Sequence, residues 1–463
     1  MPPFVALFLF LASAFAQITY QNSSGTILRV DNGTYGPEAE EFHYYYDQWP
    51  IGLAVSSSGR LFVCYTRGTY DYTLGEAVNK TAGKSFSPCT AAAPAIHVAI
   101  HPLMRKSVLS DRVSYVEINI EQAYPPNLNL PVSALNTSFN GIPFGSANST
   151  GLISVQALYI TPETSSRPET LWVLDTGRPS IMNAQGVSSM PYGQPGGPKV
   201  VAISLSNDTV YATYTFPANV HYPDSYMNDI RFDLRSNVTS GGQGVAYIVD
   251  SSDEGRPGFI MLDLGTGESW RRLTQHPSVL RVNNDVPVYQ GKPFYQHTLG
   301  QPINTLREGL DGIQITPDGS RIYYSPLTSN YLFSVPSANL LTRDTDPLAE
   351  IAASANVSSH GQRGGNRNGF EGDSNGLIYQ LVPEHNGVFV YDPNDLQTHP
   401  FVRDPRVIWP DSCTIGQDGY LYVNINQLPY QPMWNYNVDG RTHPGAVLRW
   451  KLPNGGSKIM SLS

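Results

Sequence analysis

One short segment concentrates cationic, amide and aromatic side chains. His360 and Arg363 precede Asn368 and Phe370 in the glycine-rich stretch HGQRGGNRNGF at 360–370. Arg, His and Asn can donate hydrogen bonds, and an arginine bond to a developing oxyanion is charge-assisted. We predict a catalytic loop here, with Arg363 and His360 as donors and Asn368 and Phe370 as substrate contacts. A solvated flexible loop is the alternative.

The sequence lacks the motifs of common hydrolases and nucleotide enzymes. It has no GxSxG, HExxH, CxxC or P-loop pattern, and its ten histidines show no metal-ligand spacing. We therefore predict no cofactor and no bound metal. Aromatic side chains crowd one stretch, at Tyr44, Tyr45, Tyr46 and Trp49. We expect Tyr46 and Trp49 to line a pocket, and packing between sheets is the alternative.

Short β-branched and aromatic runs bounded by Gly, Asp, Asn and Pro recur along the chain, whereas helical periodicity is nearly absent. Six copies share a polar start, an apolar strand, a turn and a second apolar strand. They begin at Trp49, Gly151, Met227, Leu310, Phe370 and Trp409. Repeats of this kind are typical of propeller blades. The sequence predicts an all-β, six-bladed β-propeller, as a single domain over residues 17–463.

In a propeller the first strand of each blade lines the central channel, so the residues at the repeat starts should converge on one mouth. These residues are Trp49, Asn228, Asp229, Asp311, Asp373 and Asp411. We expect Asn228, Asp229 and Asp311 to contact substrate, and capping of turn N–H groups is the alternative. A further alternative is that these three residues ligate a hard cation through their oxygens, as the resemblance of the propeller layout to metal-dependent lactonases would suggest. Such a site would also need a glutamate on the first inner strand, and WPIGLAV at 49–55 has none.

The charge balance limits the partners. The 463 residues include 38 Asp and Glu against 29 Lys and Arg, for a formal net charge of −9 without a basic cluster. This balance argues against nucleic acid and against an anionic membrane surface. We predict small-molecule substrates, and the sequence indicates no oligomeric state.

The first sixteen residues are apolar and end in Ala14-Phe15-Ala16, the small-x-small pattern of a cleavage site. We predict a signal peptide at 1–16, no membrane span after it, and a protein that is secreted or held in an endomembrane lumen. Eight Asn-x-Ser/Thr sequons would then be open to glycosylation. They begin at Asn22, Asn32, Asn79, Asn136, Asn148, Asn207, Asn237 and Asn356.

The three cysteines allow at most one intramolecular disulfide. Cys64 and Cys89 enclose a short loop, and an oxidising route permits a bond worth about 3 kcal/mol on the chain-entropy estimate. We predict this pair. Cys413 is then a free thiol, expected as a small buried residue within a strand rather than a nucleophile.

Several ordered blocks resemble the yellow/major royal jelly protein family. They are LWVLDTG at 171–177, YMNDIRFD at 226–233, AYIVDSS at 246–252, DGIQITPDGSRIYYSPLTSNYLFSVP at 311–336 and WPDSCTIGQDGYLYVNINQL at 409–428. The resemblance implies a secreted six-bladed propeller with a small-molecule pocket at one end of the channel. It also implies a site role for Asn386, because NGVFVY at 386–391 is similar to a strand that contributes to the pocket of amine-binding members; we add Asn386 to the catalytic candidates. Insect members usually pair four cysteines, and three are present here.

Three classes of function fit these features. A binding protein for amines or aromatics needs an acidic and aromatic pocket, whereas a dopachrome-type isomerase needs an acid–base pair and a lactonase needs a cation. A cofactor-free cyclase needs a pocket that holds two partners in a reactive pose. Fungal family members that this chain resembles are regarded as intermolecular hetero-Diels–Alderases of tropolone-sesquiterpenoid pathways, which join a quinone methide to a polyene alcohol. We expect this cyclase activity.

Overall fold

The computed structural model describes residues 18–21, 27–30, 33–45, 48–65, 72–78, 120–129, 136–137, 143–144, 151–182, 188–190, 192–193, 197–297, 303–460 and 462. Six four-stranded antiparallel sheets dominate this part of the chain. Their innermost strands contact one another in a closed ring that runs from blade 1 to blade 6 and back to blade 1. The predicted six-bladed β-propeller is confirmed.

The first three blades follow the chain from the inner strand to the outer strand. Blade 1 contains Gly52–Val55, Leu61–Cys64, Leu74–Val78 and Ile120–Ala123. Blade 2 contains Val155–Thr161, Thr170–Asp175, Lys199–Ser204 and Thr209–Thr215. Blade 3 contains Met227–Asp233, Val245–Asp250, Gly258–Asp263 and Ser269–Arg272.

Blades 4 to 6 complete the ring. Blade 4 contains Leu310–Ile315, Arg321–Pro326, Tyr331–Pro336 and Ser358–Gln362. Blade 5 contains Phe370–Gly372, Ile378–Val382, Gly387–Asp392 and Gln397–Arg403. Blade 6 contains Pro410–Ile415, Tyr420–Ile425, Gly445–Lys451 and, as its outer strand, Glu40–Tyr45 from the amino-terminal side. Because this last sheet combines both ends of the sequence, it closes the ring.

Smaller elements decorate the blades. Two-stranded sheets pair Ile18–Gln21 with Ile27–Val30, Asn136–Thr137 with Pro143–Phe144, Ile181–Met182 with Ser188–Ser189, Val288–Tyr289 with Lys292–Pro293, and Tyr295–Gln296 with Asn304–Thr305. Two short α-helices, Ser337–Leu341 and Ala349–Ala355, connect the outer strands of blade 4. Single 3₁₀ turns occur at Pro383–His385, Leu428–Tyr430 and Pro453–Gly455. Among the described residues, no helix has the length and apolar character needed to cross a bilayer.

The six sequence repeats coincide with the first hairpin of each blade. Their turns explain the recurring glycine, because Gly319 and Gly419 adopt φ values of 71° and 74°, a region that disfavours residues with a Cβ. The preceding aspartates stabilise the same turns. Asp318 accepts a hydrogen bond from the backbone N–H of Ser320, and Asp418 accepts one from Tyr420. The local sequence therefore encodes each hairpin.

The core lies between neighbouring blades. Second and third strands such as Val245–Asp250 and Gly258–Asp263 are buried at every position, as expected for sheets covered on both faces. Blades 2 and 3 meet through Trp172 and Phe232, whose rings stack with centroids 4.5 Å apart. Interlocked side chains of this kind hold the blades at fixed angles around the channel.

The chain after blade 6 covers one end of the channel. Nζ of the buried Lys458 donates to the carbonyl of Ile415 at 3.3 Å and lies 4.3 Å from the ring centroid of Tyr159. Lys458 also forms a β-bridge with Asp373, directly after the inner strand of blade 5. This is the end at which the inner strands finish. The opposite end, at which they begin, holds a large cavity.

Candidate functional site

A cavity of about 580 Å³ opens where the inner strands begin. All six blades contribute to its wall. From blade 1 to blade 6 the contributors include Gly52, Gln156, Asn228, Asp311, Phe370 and Ser412. A single funnel therefore collects side chains that are far apart in sequence.

One side of the cavity is aromatic. Trp49, Trp409 and Trp434 line it together with leucine side chains. Phe294 lies between two of these indoles, with ring centroids 4.8 Å from Trp409 and 4.3 Å from Trp434. The stack fastens the 287–297 loop to the loop after blade 6's second strand, and the backbone N–H of His297 also donates to the carbonyl of Met433 at 2.7 Å. The loop after blade 6's second strand lines the cavity, and the 287–297 loop packs against it; we call these two loops the rim.

A chain of hydrogen bonds crosses three blades along another wall. The Tyr226 hydroxyl donates to Oε1 of Gln156 at 2.6 Å. Nε2 of Gln156 donates to Oδ1 of Asn228 at 2.9 Å, and Nδ2 of Asn228 donates to Oδ1 of Asp311. These bonds fix the orientation of the Gln156 and Asn228 side-chain amides. The series of hydrogen bonds ends at Asp311, whose second carboxyl oxygen takes no part in it. We call these four residues the cavity relay.

Four carboxyl groups at the cavity have raised pKa values: Asp229, Glu308, Asp311 and Asp411. Burial raises the pKa of Asp229, although the charge of Arg231 opposes the shift. Burial raises the pKa of Asp311 well above its ordinary value, and the nearby charges of Glu308 and Asp411 add to the effect. Burial, with repulsion from Asp253 and Asp411, raises the pKa of Glu308 to about 8. Burial raises the pKa of Asp411 to about 7. Raised pKa values keep a larger fraction of these carboxyl groups protonated near neutral pH than in exposed acids, and a protonated carboxyl can donate a proton or a hydrogen bond.

At the floor of the cavity, Asp229 forms an ion pair with Arg231. Oδ1 of Asp229 accepts from Nη1 of Arg231 at 2.7 Å and from the backbone N–H of Ile230 at 2.8 Å. Nε of Arg231 donates to Gln314 at 3.0 Å. Arg231 is thus committed to protein acceptors. Asp229 lines the cavity but also caps its own strand, which combines the two roles that the sequence left open.

Most predicted substrate contacts are at the cavity. Trp49, Asn228, Asp229 and Asp311 line it, as do Asn368 and Phe370 from the glycine-rich segment. The ring of Trp49 is stacked near His443, and the Arg441 guanidinium lies 4.9 Å from its centroid. Tyr46 lies outside the described residues.

His360 and Arg363, predicted as catalytic donors, lie away from the cavity lining. His360 belongs to the outer strand of blade 4, where its ring nitrogens contact Oγ of Ser334 at 2.7 Å and the Tyr391 hydroxyl at 3.0 Å. Arg363 follows that strand, and its guanidinium lies over Tyr391. Both side chains belong to the interface between blades 4 and 5. The next six residues, 364–369, run from the outer edge of blade 4 to the inner strand of blade 5 at the channel.

Asn386 also lies away from the cavity lining. It occupies a left-handed turn with φ of 51° between the second and third strands of blade 5. Its Nδ2 donates to the carbonyl of Val407 at 2.9 Å and to the Tyr289 hydroxyl at 3.1 Å. These bonds anchor the 287–297 loop, so Asn386 supports the rim rather than touching the space inside it.

Asp373 corrects another expectation, because it lies at the covered end of the channel. Its Oδ1 accepts from the backbone N–H groups of Asn375 and Leu377, both at 3.0 Å. Asp373 therefore caps the N–H groups of a turn, which is the alternative role given for the residues at the repeat starts. The sequence analysis did not select Trp434, nor three polar site residues close to strand starts, Glu308, Gln156 and Tyr226. Each of these polar residues lies close to the start of an inner strand, a signal that could have found them.

The cysteines differ from the predicted disulfide. Cys64 is a free, fully buried thiol whose Sγ contacts the carbonyl of Gln156 at 3.5 Å, and burial raises its pKa. It is enclosed between the inner parts of blades 1 and 2. Cys89 lies outside the described residues. Cys413 is a free, buried thiol in the inner strand of blade 6.

The polar groups of the cavity are not arranged as a cation cage. Within the described ranges, His, Cys, Asp and Glu side chains nowhere gather in groups of three or more that could hold a metal ion. Asn228 explains part of this, because its amide nitrogen points at Asp311 and its oxygen accepts from Gln156. The arrangement suits proton and hydrogen-bond donation to a ligand.

Solved structures with related shape are distant in sequence. A luciferin-regenerating enzyme is 10% identical over 91% of this chain and 97% of its own, with a TM-score of 0.44. Virginiamycin B lyase from Staphylococcus aureus is 11% identical over 90% and 99%, with a TM-score of 0.40. Regucalcin, a calcium-binding protein from Agrobacterium tumefaciens, is 10% identical over 88% and 93%, with a TM-score of 0.41.

The sequence comparison is more specific. No curated protein sequence matches the chain. The model of the major royal jelly protein family matches residues 166–442, more than half of the chain and most of blades 2 to 6. With the six-bladed ring and the cavity at one end of its channel, this match assigns the chain to the major royal jelly protein family.

Proposed function

We propose that the protein is a cofactor-independent cyclase for an intermolecular hetero-Diels–Alder reaction between a quinone-methide-type diene and an alkene. One observation carries the proposal: carboxyl groups whose pKa values are raised by burial, Asp311 among them, line the same cavity as three tryptophans. Donors and a stacking surface in one enclosed space are what this reaction needs.

The cavity suits the positioning part of the reaction. Its volume of about 580 Å³ lies in the usual range of small-molecule sites. Trp409 and Trp434 offer flat apolar faces to conjugated partners. Holding two reactants in a near-attack pose removes at most roughly 7–11 kcal/mol of the barrier, and excluding water protects the quinone methide from hydration.

The carboxylic acids suit the electronic part. In the cycloaddition the carbonyl oxygen of the quinone methide becomes the ring ether oxygen, while one C–O and one C–C bond form and no proton leaves. A hydrogen bond from Asp311 to that oxygen draws electron density from the diene as the bonds form. One such donor is worth about 3–4 kcal/mol in an enclosed site. The cavity relay holds Asp311 in place for this task.

The test compares product formation with and without protein. A quinone methide is generated in situ with an alkenyl alcohol, and the rate and enantiomeric ratio of the adduct are measured by chiral chromatography. The proposal expects an accelerated, enantioenriched adduct from wild type and from Asp395→Ala, a surface carboxylate control. It expects much less from Asp311→Ala. A racemic adduct formed at the buffer rate would overturn the proposal.

An amine-binding protein is the second candidate. Glu308, Asp311 and Asp411 form no ion pair with Lys or Arg in the described part of the chain, so a ligand ammonium would supply the missing charge. The two functions have opposite pH dependence. Amine affinity, measured by calorimetry, should increase as pH rises through about 7 and 8, because the acids ionise. Cyclisation should decline over the same interval.

A further inference from the structure

The interface between blades 4 and 5 contains a buried arginine with unused donors. Arg367 is completely buried, in the segment that runs from the outer strand of blade 4 to the inner strand of blade 5. Its Nε donates to Oε1 of Gln380 at 2.7 Å. Its Nη1 and Nη2 are buried and meet no acceptor among the described residues. A buried guanidinium left in this state is strongly unfavourable, so such a group calls for a partner.

Two neighbours add donors rather than acceptors. Nε2 of Gln380 is also buried and meets no acceptor in the described part of the chain. Its orientation is set because Arg367 Nε must face the amide oxygen. Nε of Arg363 is a further buried donor without a partner, and its guanidinium lies 5.3 Å from the ring centroid of Tyr391. Donors from three side chains therefore meet at one interface.

Among the described residues, no carboxylate forms a direct ion pair with Arg367. Glu384 is the acid that acts on Arg367 electrostatically, but its two oxygens accept from the backbone N–H groups of Val288 and Asn366 at 2.7 and 2.8 Å. Burial and the charge of Arg363 lower the pKa of Arg367 to about 9, which still leaves it protonated at neutral pH. The interface thus carries surplus positive charge in an apolar setting.

We propose that a small inorganic anion of the halide class binds between blades 4 and 5, on Nη1 and Nη2 of Arg367 and Nε2 of Gln380, beside Arg363. A water molecule could accept from some of these donors but would leave the charge uncompensated, whereas an anion meets both requirements. The buried cluster of Tyr323, Leu332, Phe370, Ile378 and Tyr391 borders this interface. An apolar border favours a compact, weakly hydrated anion over phosphate or sulfate. The site is separate from the cavity at the channel mouth.

Bromide is the probe, because it replaces chloride and scatters anomalously. The full-length protein is melted in sodium bromide and in sodium gluconate at equal ionic strength, and crystals soaked in bromide are examined by anomalous diffraction. We expect an anomalous peak within hydrogen-bond distance of Arg367 and Gln380. At bromide concentrations well above the Kd of the site, Tm should rise by about 2 °C for each tenfold increase in bromide.

Arg367→Gln should abolish the bromide-dependent part of the Tm. Arg406→Gln is the matched control, because Arg406 pairs with Asp404 on the same blade but has no part in the site; it should keep the full bromide response. If Arg367→Gln does not fold, Arg363→Gln should reduce the dependence of Tm on bromide. In that case the presence or absence of the anomalous peak at Arg367 in wild-type crystals decides whether the anion binds there. Ordered water alone at Arg367 in bromide-soaked crystals, or equal bromide responses in wild type and Arg367→Gln, would overturn the proposal.

Discussion

Asn228 donates its side-chain amide hydrogen to Oδ1 of Asp311, which joins the inner strands of blades 3 and 4 at the cavity wall. A carboxyl group that accepts with one oxygen can keep its proton on the other. Because burial raises the pKa of Asp311 well above its ordinary value, this carboxyl keeps its proton to higher pH than an exposed aspartic acid does, and when it is protonated its second oxygen can donate into the cavity.

Asp311→Asn should preserve function at neutral pH. The amide oxygen can accept from Asn228 while the amide nitrogen donates into the cavity, so the variant imitates the protonated acid. Asp311→Ala removes the donor and leaves Nδ2 of Asn228 without an acceptor. We expect the cyclisation rate to fall about 100-fold and the free energy of unfolding to fall by about 1–3 kcal/mol. Rates and urea unfolding curves measure both, and equal rates in the two variants would contradict the assignment.

Asp411 should make the protein less stable at high pH. Its folded pKa of about 7 exceeds the unfolded value near 4, so only the folded state holds this proton between those values. Stability from this group is complete below pH 4 and is lost as pH rises through 7. Asp411→Asn should therefore gain roughly 1–3 kcal/mol over wild type between pH 4 and pH 8. Glu308→Gln should do the same, with its window extending to about pH 8. Parallel stability curves for variant and wild type would refute the raised pKa values.

His360 should make the protein sensitive to acid. Burial, followed by the charges of Arg363 and Arg321, lowers its pKa to about 4. The stability from neutral His360 is present above the unfolded pKa near 6.5 and is lost as pH falls towards 4. His360→Asn should reduce the loss of unfolding free energy between pH 7 and pH 4 by roughly 1–2 kcal/mol. His399→Asn, at an exposed site, is the control; the same reduction in both would show that the effect is not specific to the blade interface.

Phe294 should determine whether the rim holds its shape. Truncating a buried phenylalanine costs roughly 3–5 kcal/mol of packing, and here the loss falls on the contact between two rim loops. Phe294→Ala should increase proteolytic cleavage within 287–297 and weaken ligand binding, whereas Phe294→Leu should retain part of both properties. Tyr211→Ala removes a partly exposed ring from the outer strand of blade 2, away from both loops, and serves as the control. Unchanged cleavage in Phe294→Ala would show that the loops are held by other contacts.

We propose that the protein enters the secretory pathway and is glycosylated. Asn207, Asn237 and Asn356 are exposed, so the machinery can reach these sequons on the folded surface. Endoglycosidase treatment of protein from a eukaryotic secretory host should lower its apparent mass, and Asn207→Gln should remove one glycan. Purified protein that begins at Met1 and shows no mass change would disprove this route.

The propeller was predictable because its repeats are local. Each inner hairpin combines alternating apolar residues with a turn glycine such as Gly319, and both signals act over a few residues. Once six hairpins are recognised, ring closure places the inner-strand starts at one mouth. Asn228, Asp229 and Asp311 were selected by that argument and line the cavity.

Arg363 and His360 were selected by a different argument, their proximity in sequence to Phe370. That argument fails because the 364–369 segment spans the distance from the outer strand of blade 4 to the inner strand of blade 5. Residues that are close in sequence therefore lie at the outer edge of blade 4 and at the inner edge of blade 5. The Cys64–Cys89 prediction weighed loop length, whereas packing between blades encloses Cys64.

The amino-acid sequence by itself determined the all-β architecture, the number of blades and the polar residues at the strand starts, because turn chemistry and alternation are properties of short segments. The tertiary structure alone decided which of those residues interact. Asn228 and Asp311 are 83 positions apart, and Gln156 and Asn228 are 72 apart. Their hydrogen bonds, and the pKa values that depend on burial among them, arise only when the ring brings the blades together.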